Sequence, residues 1–109
     1  MTKEEINHFM VEALLEGRKA LPECLPNPPV GCVIVSNRQI VSRGHTNVPG
    51  EHHAEAMALA KINTNEFQDL AMFVTLEPCS FQGRTPSCAK AIVKNGVKQV
   101  YVGMIAAHP

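Results

Sequence analysis

A chain of 109 residues, 45% hydrophobic and 18% charged, is long enough for one domain around a single core and too short for two. Ten basic and ten acidic side chains cancel, which excludes the basic excess of a nucleic-acid or anionic-membrane binder and requires any charged ligand to be met locally. Four cysteines would allow two disulfides, but Met1-Thr2-Lys3-Glu4-Glu5 lacks the regions of a secretory signal and no apolar run is long enough to cross a bilayer, so a soluble protein of the reducing cytoplasm is expected.

Thr2 with Glu5 is a capping-box pattern, and Ile6, Phe9, Met10, Ala13 and Leu14 recur at helical spacing, which predicts a first amphipathic helix over Lys3 to Leu21. His8 falls on its polar side. Pro22, Pro26, Pro28 and Pro29 predict an extended loop, because proline lacks the amide donor and biases the preceding residue away from helix. Asn27 sits within that loop. Val30 to Val35 is an apolar, β-branched run that reads as a strand buried on both faces, and Ser36-Asn37-Arg38 turns it into an antiparallel return over Gln39 to Thr46.

After a loop marked by Asn47, Pro49 and Gly50, residues His53 to Ile62 read as a second helix with Ala56, Leu59 and Ala60 as its apolar stripe. Ala71 to Leu76 predicts a third strand. Thr85 and Pro86 supply the cap and first position of a third helix, which Gly96 stops after Asn95. Gln99 to Ile105 completes a fourth strand. Strand, helix, strand succession implies parallel pairing with right-handed crossovers, hence an α/β fold.

The chemistry concentrates in His53-Ala54-Glu55 and in the stretch from Thr75 to Cys88. One imidazole and two thiolates, His53, Cys79 and Cys88, would give zinc three ligands and leave a fourth position to water, which is a catalytic rather than a structural donor set. Cys88 would fall in the first turn of the third helix, where unpaired amides favour a thiolate. Glu55, two residues from His53, is spaced to move protons without ligating, and His-x-Glu followed by Pro-Cys is the zinc-deaminase signature. His52 is the rival ligand to His53, and only the spacing to Glu55 chooses between them. Cys32 lies in a strand core and Cys24 in a proline-rich loop, so both read as packing.

These motifs resemble the cytidine-deaminase-like zinc enzymes. Gly83-Arg84-Thr85-Pro86-Ser87-Cys88, with Pro26-Asn27-Pro28-Pro29-Val30-Gly31 and Gly50-Glu51-His52-His53, is similar to one branch, the pyrimidine deaminase domain of riboflavin biosynthesis. Eight residues separate Cys79 from Cys88, where most nucleoside and nucleobase relatives have two. The resemblance implies a three-layer α/β/α sandwich with a mixed sheet of four strands and three helices, zinc on His53, Cys79 and Cys88, and Glu55 as proton shuttle. It further implies that Asn27, Arg84 and Thr85 lie near the substrate, an aminopyrimidine that carries a phosphoribosylamino group in this branch. Phe81 and Thr46 stand where the family usually has histidines, with His45 adjacent to the latter, so these three join the substrate-side candidates. The family's C-terminal helix and fifth strand have no counterpart before Pro109, which implies either a trimmed chain or an edge covered by another copy in a homo-oligomer. A whole chain over residues 1–109 would be a single deaminase domain without the reductase that often follows. Other readings of the same residues are a deaminase of a nucleoside, nucleobase or single-stranded nucleic-acid base, on which Phe81 could stack, and a non-catalytic zinc-stabilised or redox-sensing module.

Overall fold

The structure is a computed structural model that describes residues 1–26, 29–46, 53–76, 94 and 96–104. Its first element, α1, is the helix Lys3–Arg18. Both halves of the capping box form: the Thr2 amide donates to Glu5 Oε1 at 2.8 Å and the Glu5 amide donates to Thr2 Oγ1 at 3.1 Å. The helix ends short of the expected Leu21, and the segment after it is wound rather than extended. Residues 19–26 form hydrogen-bonded turns, in which the amides of Leu21, Cys24 and Leu25 donate to the carbonyls of Arg18, Ala20 and Pro22. Pro22 sits where no donor is required, so the turns tolerate it, and they bury Cys24 completely. His8 is exposed, as its position on the helix predicts.

Among the described residues four strands make up the sheet: β1 is Gly31–Ser36, β2 is Gln39–His45, β3 is Leu70–Leu76 and β4 is Val97–Met104. The β1–β2 hairpin closes through Asn37 and Arg38, both left-handed with φ of 50° and 63°, the pair of positive φ values that a two-residue type I′ turn requires. Helix α2, Ala54–Ala60, and a single 3₁₀ turn, Thr64–Glu66, lie between β2 and β3; the 3₁₀ turn has no counterpart among the sequence expectations. The third helix expected from Thr85 lies outside the described residues, apart from a helical Lys94. Gly96 carries φ +79°, the left-handed conformation expected of the residue that stops a helix.

The sheet is mixed, in the order β2-β1-β3-β4. β3 and β4 pair in parallel, as strand, helix, strand succession predicts, whereas β1 pairs antiparallel with both β2 and β3. β2 and β3 therefore point the same way without touching, because β1 lies between them. The start of β1 and the ends of β2, β3 and β4 share one edge as a result. Gly31 is level with His45, Cys32 with Val74, and Thr75 with Gly103.

Helix α1 covers one face of the sheet through Phe9 and Ala13, packed with Val33, Val35, Ala71 and Phe73; Phe73 also stacks on Tyr101, with ring centroids 4.7 Å apart. Helix α2 covers the other face through Ala54 and Ala58, packed with Cys32, Ile34, Met72 and Val74. This face of α2 differs from the expected stripe. Ala56 and Ala60 are exposed, Leu59 is half-buried, and Ala54, Glu55 and Ala58 are buried. A seven-residue helix that is apolar nearly all round offers no periodicity to choose a face, and tertiary contact chooses it instead. At Gly44 a side chain would collide with the Ala54 carbonyl and would come within 2.7 Å of the Ala58 amide nitrogen, so α2 lies directly on the bare backbone of β2. The Ser42 hydroxyl completes the contact by donating to the Ala58 carbonyl.

Candidate metal and active site

α2 comes after β2 in the chain, so its N-terminus stands at the edge where β2, β3 and β4 end. The contact of its first turn with Gly44, one residue before the end of β2, fixes that placement. His53 is the N-cap residue, extended at φ −69° and ψ 163°, exposed, and without a capping hydrogen bond from its side chain. An aspartate, serine or threonine in that position would ordinarily accept from a first-turn amide, a bond the His53 side chain does not make. Glu55 lies in the first turn and is 7% exposed. The expected ligand and the expected proton shuttle are thus carried by one helix start that Ala54 and Ala58 anchor in the core.

Among the described residues no three His, Cys, Asp or Glu side chains converge as a metal site. Cys79 and Cys88, the other two expected ligands, lie outside the described residues, as do His52, Asn27, Phe81, Arg84 and Thr85. The described part of the donor set, the imidazole of an exposed N-cap, fits zinc, and the buried side chain of Glu55 stands two residues on. Cys32 is fully buried within the apolar cluster under α2, in keeping with a packing role.

His45 and Thr46 lie at the same edge but are engaged differently. His45 donates its backbone amide to Met57 Sδ at 3.4 Å, tying the end of β2 to α2. Its ring turns to the opposite face, where Nδ1 lies 2.8 Å from Glu16 Oε2 on α1. An ionised carboxylate can only accept, so Nδ1 carries the proton in that contact. Glu16 is buried, and Lys19 Nζ reaches its Oε1 at 3.0 Å while Arg43 Nη1 stands at 4.0 Å. Burial pushes the Glu16 carboxyl up, but the hydrogen bonds from His45 and Lys19 and their charges outweigh it and hold the group below the ordinary carboxylate value. Thr46 accepts from the Val30 amide through Oγ1 at 2.8 Å and donates its own amide to the Val30 carbonyl at 2.9 Å.

Two further residues of this region have no role assigned from the sequence. Glu16 continues the buried series Phe9, Ala13, Glu16, and a carboxylate on an apolar helical stripe is itself a signal that a partner waits for it. Thr75 opens the motif stretch that runs to Cys88 but is given no role there beyond ending a strand, yet it is 2% exposed and accepts from the Gly31 amide through Oγ1 at 3.0 Å.

Among the described residues, a mixed sheet between two helices, entered at one edge by a His-x-Glu helix start, defines a cytidine-deaminase-like domain. The family described as the cytidine and deoxycytidylate deaminase zinc-binding region matches residues 3–104, and the chain belongs to that family. The chain is 40% identical over 102 residues to riboflavin biosynthesis protein PYRD, chloroplastic, of Zea mays, a match covering 94% of this chain and 26% of that protein. It is 42% identical over 84 residues to the diaminohydroxyphosphoribosylamino-pyrimidine deaminase of Buchnera aphidicola, covering 77% of this chain and 56% of that protein. Among solved structures, Acinetobacter baumannii RibD, form 1, is similar with a TM-score of 0.78 at 40% identity, over 93% of this chain and 28% of that one. The chain therefore spans about a quarter of the maize relative's length and about half of the Buchnera one's. No described helix is long and apolar enough to cross a membrane.

Proposed function

We propose that this chain is a zinc-dependent hydrolytic deaminase of an aminopyrimidine, and that its substrate is the phosphoribosylaminopyrimidine of riboflavin biosynthesis. The observation that carries the reading is the pairing of an exposed N-cap histidine with a buried first-turn glutamate at the edge where three strands end, in a chain whose relatives are named for riboflavin biosynthesis and for this deamination. His53, Cys79 and Cys88 would hold the metal. Zinc in such a site supplies a water acidified toward neutrality.

Glu55 takes the proton that water gives up as its oxygen attacks the ring carbon bearing the exocyclic amine. It then gives that proton to the ring nitrogen, takes up the second proton of the attacking water from the new C–OH and gives it to the departing amine, so that a C–N bond breaks, a C–O bond forms and ammonia leaves. The burial of Glu55 suits this exchange, because a carboxylate screened from bulk water passes its proton to the substrate rather than to solvent. Asn27 would read the pyrimidine edge through its amide, and Arg84 would meet the phosphate through its planar fork, with Thr85 and Phe81 beside it.

The experiment is ammonia release from a panel of aminopyrimidines by zinc-loaded protein, with metal analysis on the same sample. Turnover of the phosphoribosylated pyrimidine with about one zinc per chain is expected. Turnover of deoxycytidylate alone would move the substrate to the nucleotide branch, and zinc without turnover of any member would favour a non-catalytic zinc module. With the active substrate in hand, Arg84→Ala is expected to raise KM strongly for the phosphorylated pyrimidine and little for its dephosphorylated analogue, and equal losses on both would remove the phosphate contact.

A further inference from the structure

At the site edge the two central strands stop pairing through their backbones. The antiparallel register of β1 with β3 runs from Val35↔Ala71 to Cys32↔Val74 and ends there. At the next step, Gly31 does not give its amide to a β3 carbonyl; it donates to the Thr75 hydroxyl at 3.0 Å, within the protein interior. The same hydroxyl faces the Gly31 carbonyl at 3.5 Å, the outer limit of a hydrogen bond. On the other flank of β1 the preceding amide, that of Val30, donates to the hydroxyl of Thr46, the residue after β2, at 2.8 Å. Consecutive amides at the start of β1 are thus taken by threonine hydroxyls from its two flanks, both at the edge that carries α2's N-terminus.

A hydroxyl inserted where a backbone carbonyl would stand keeps the amide satisfied while holding the strands apart by the length of a side chain. The position admits little slack. A side chain at Gly31 would collide with the Ala13 carbonyl of α1 and the Gly17 amide, so the start of β1 is pressed from the α1 face while Thr75 holds it within the sheet. The strand start so held comes four residues after Asn27, and the strand end that holds it precedes Cys79 by four.

The geometry points to Thr75 as a positioning residue: its hydroxyl sets the distance between the start of β1, which leads from the substrate-reading loop, and the end of β3, which leads to the metal ligands, with Thr46 bracing the opposite flank. The inference rests on the proposed deaminase function. Its chemistry is indirect, since Thr75 touches the Gly31 backbone and acts on the substrate only through the strand it holds.

Thr75→Val keeps the shape of the side chain and removes the hydroxyl, and Thr75→Ser keeps the hydroxyl. In zinc-loaded protein well below its unfolding temperature, Thr75→Val is expected to retain zinc, to speed hydrogen exchange at the Gly31 amide about tenfold, and to lower kcat/KM by about tenfold or more because the reacting groups are misplaced. Thr75→Ser is expected to restore both quantities to near the wild-type values. Unchanged exchange at Gly31 overturns the inference whatever the activity. Faster exchange with unchanged kcat/KM overturns the positioning role, leaving only a structural bond, and a serine variant as impaired as the valine one does the same. If Thr75→Val does not fold, Thr75→Ala against Thr75→Ser carries the same comparison. A wild-type chain silent on every aminopyrimidine removes the functional reading itself, whereas an active wild type with an unaffected Thr75→Val removes only the role of Thr75.

Discussion

On one face of the sheet lies a helix of 16 residues, closed at its start by a full capping box and carrying a buried glutamate that three cationic or imidazole groups surround. On the other face lies a helix of 7 residues, opened by a histidine that does not cap it and carrying a buried glutamate in its first turn. The long helix meets nearly every local criterion for stability. The short one would be marginal in water by itself, since isolated helices below about 12–15 residues rarely persist. It survives because Gly44 lets it rest on the backbone of β2 and because Ser42 and His45 tie it down. The face that holds the fold together and the face proposed to present the chemistry are thus built on opposite terms: local bonds for α1, tertiary contact for α2. A residue at a helix cap is free to serve something other than capping only when the helix does not depend on its cap.

The contrast is tested most severely at Glu55. Glu55→Gln is expected to keep fold and zinc and to lower ammonia release by about 10²–10⁴-fold, the usual worth of a positioned acid–base group. Near-wild-type turnover would mean that α2 presents no proton shuttle, and the contrast between the faces would lose its chemical side.

A smaller effect is expected from crowding the short helix. Gly44→Ala forces a methyl against the Ala54 carbonyl and the Ala58 amide, a strain of about 1–3 kcal/mol by comparison with other overpacked sites. Because the displaced turn carries His53 and Glu55, zinc content and turnover per folded molecule should fall together with the unfolding temperature. The control on the other face is Phe9→Leu, which loosens the packing on Phe73, at 5.4 Å between ring centroids, and should cost about 1 kcal/mol in denaturant melts while folded molecules keep their turnover. Equal loss of turnover in both variants would erase the distinction between the faces.

The gentlest test probes the α1 side through pH. Glu16 has a depressed carboxyl pKa in the folded protein, so its contribution to stability is present above the ordinary value of 4.5 and is lost as pH falls from there through the lowered folded value. Glu16→Gln should therefore be less stable than wild type at neutral pH, with the gap closing as pH drops below about 4.5. Denaturant melts across that range check the sign. A gap that stays constant would show that the carboxylate's charge is not what His45 and Lys19 stabilise.

Much of this is legible along the chain. The capping box at Thr2 and Glu5, the apolar run of β1, the hairpin at Asn37 and Arg38, and His53 at a helix start all arise from local chemistry: capping, β-branching, turn conformations and spacing each act within a few residues. The family resemblance can be read from the same residues, because a metal site needs particular side chains at fixed separations.

What the chain alone leaves open depends on contacts between residues distant in sequence. The insertion of β1 between β2 and β3, with the antiparallel partnership it imposes, is decided by how whole strands pack. Residues 19–26 wind into turns that bury Cys24 in the interior, a contact their prolines do not announce. The face of α2 escapes sequence reading because a short helix rich in alanine is nearly equally apolar on all sides, and the bare backbone at Gly44 selects Ala54 and Ala58. Glu16 finds His45 across 29 positions of sequence, and Thr75 finds the Gly31 amide across 44. A hydroxyl or carboxylate carries no mark of its distant partner, so hydrogen bonds of that span exist only once the fold has brought the groups together.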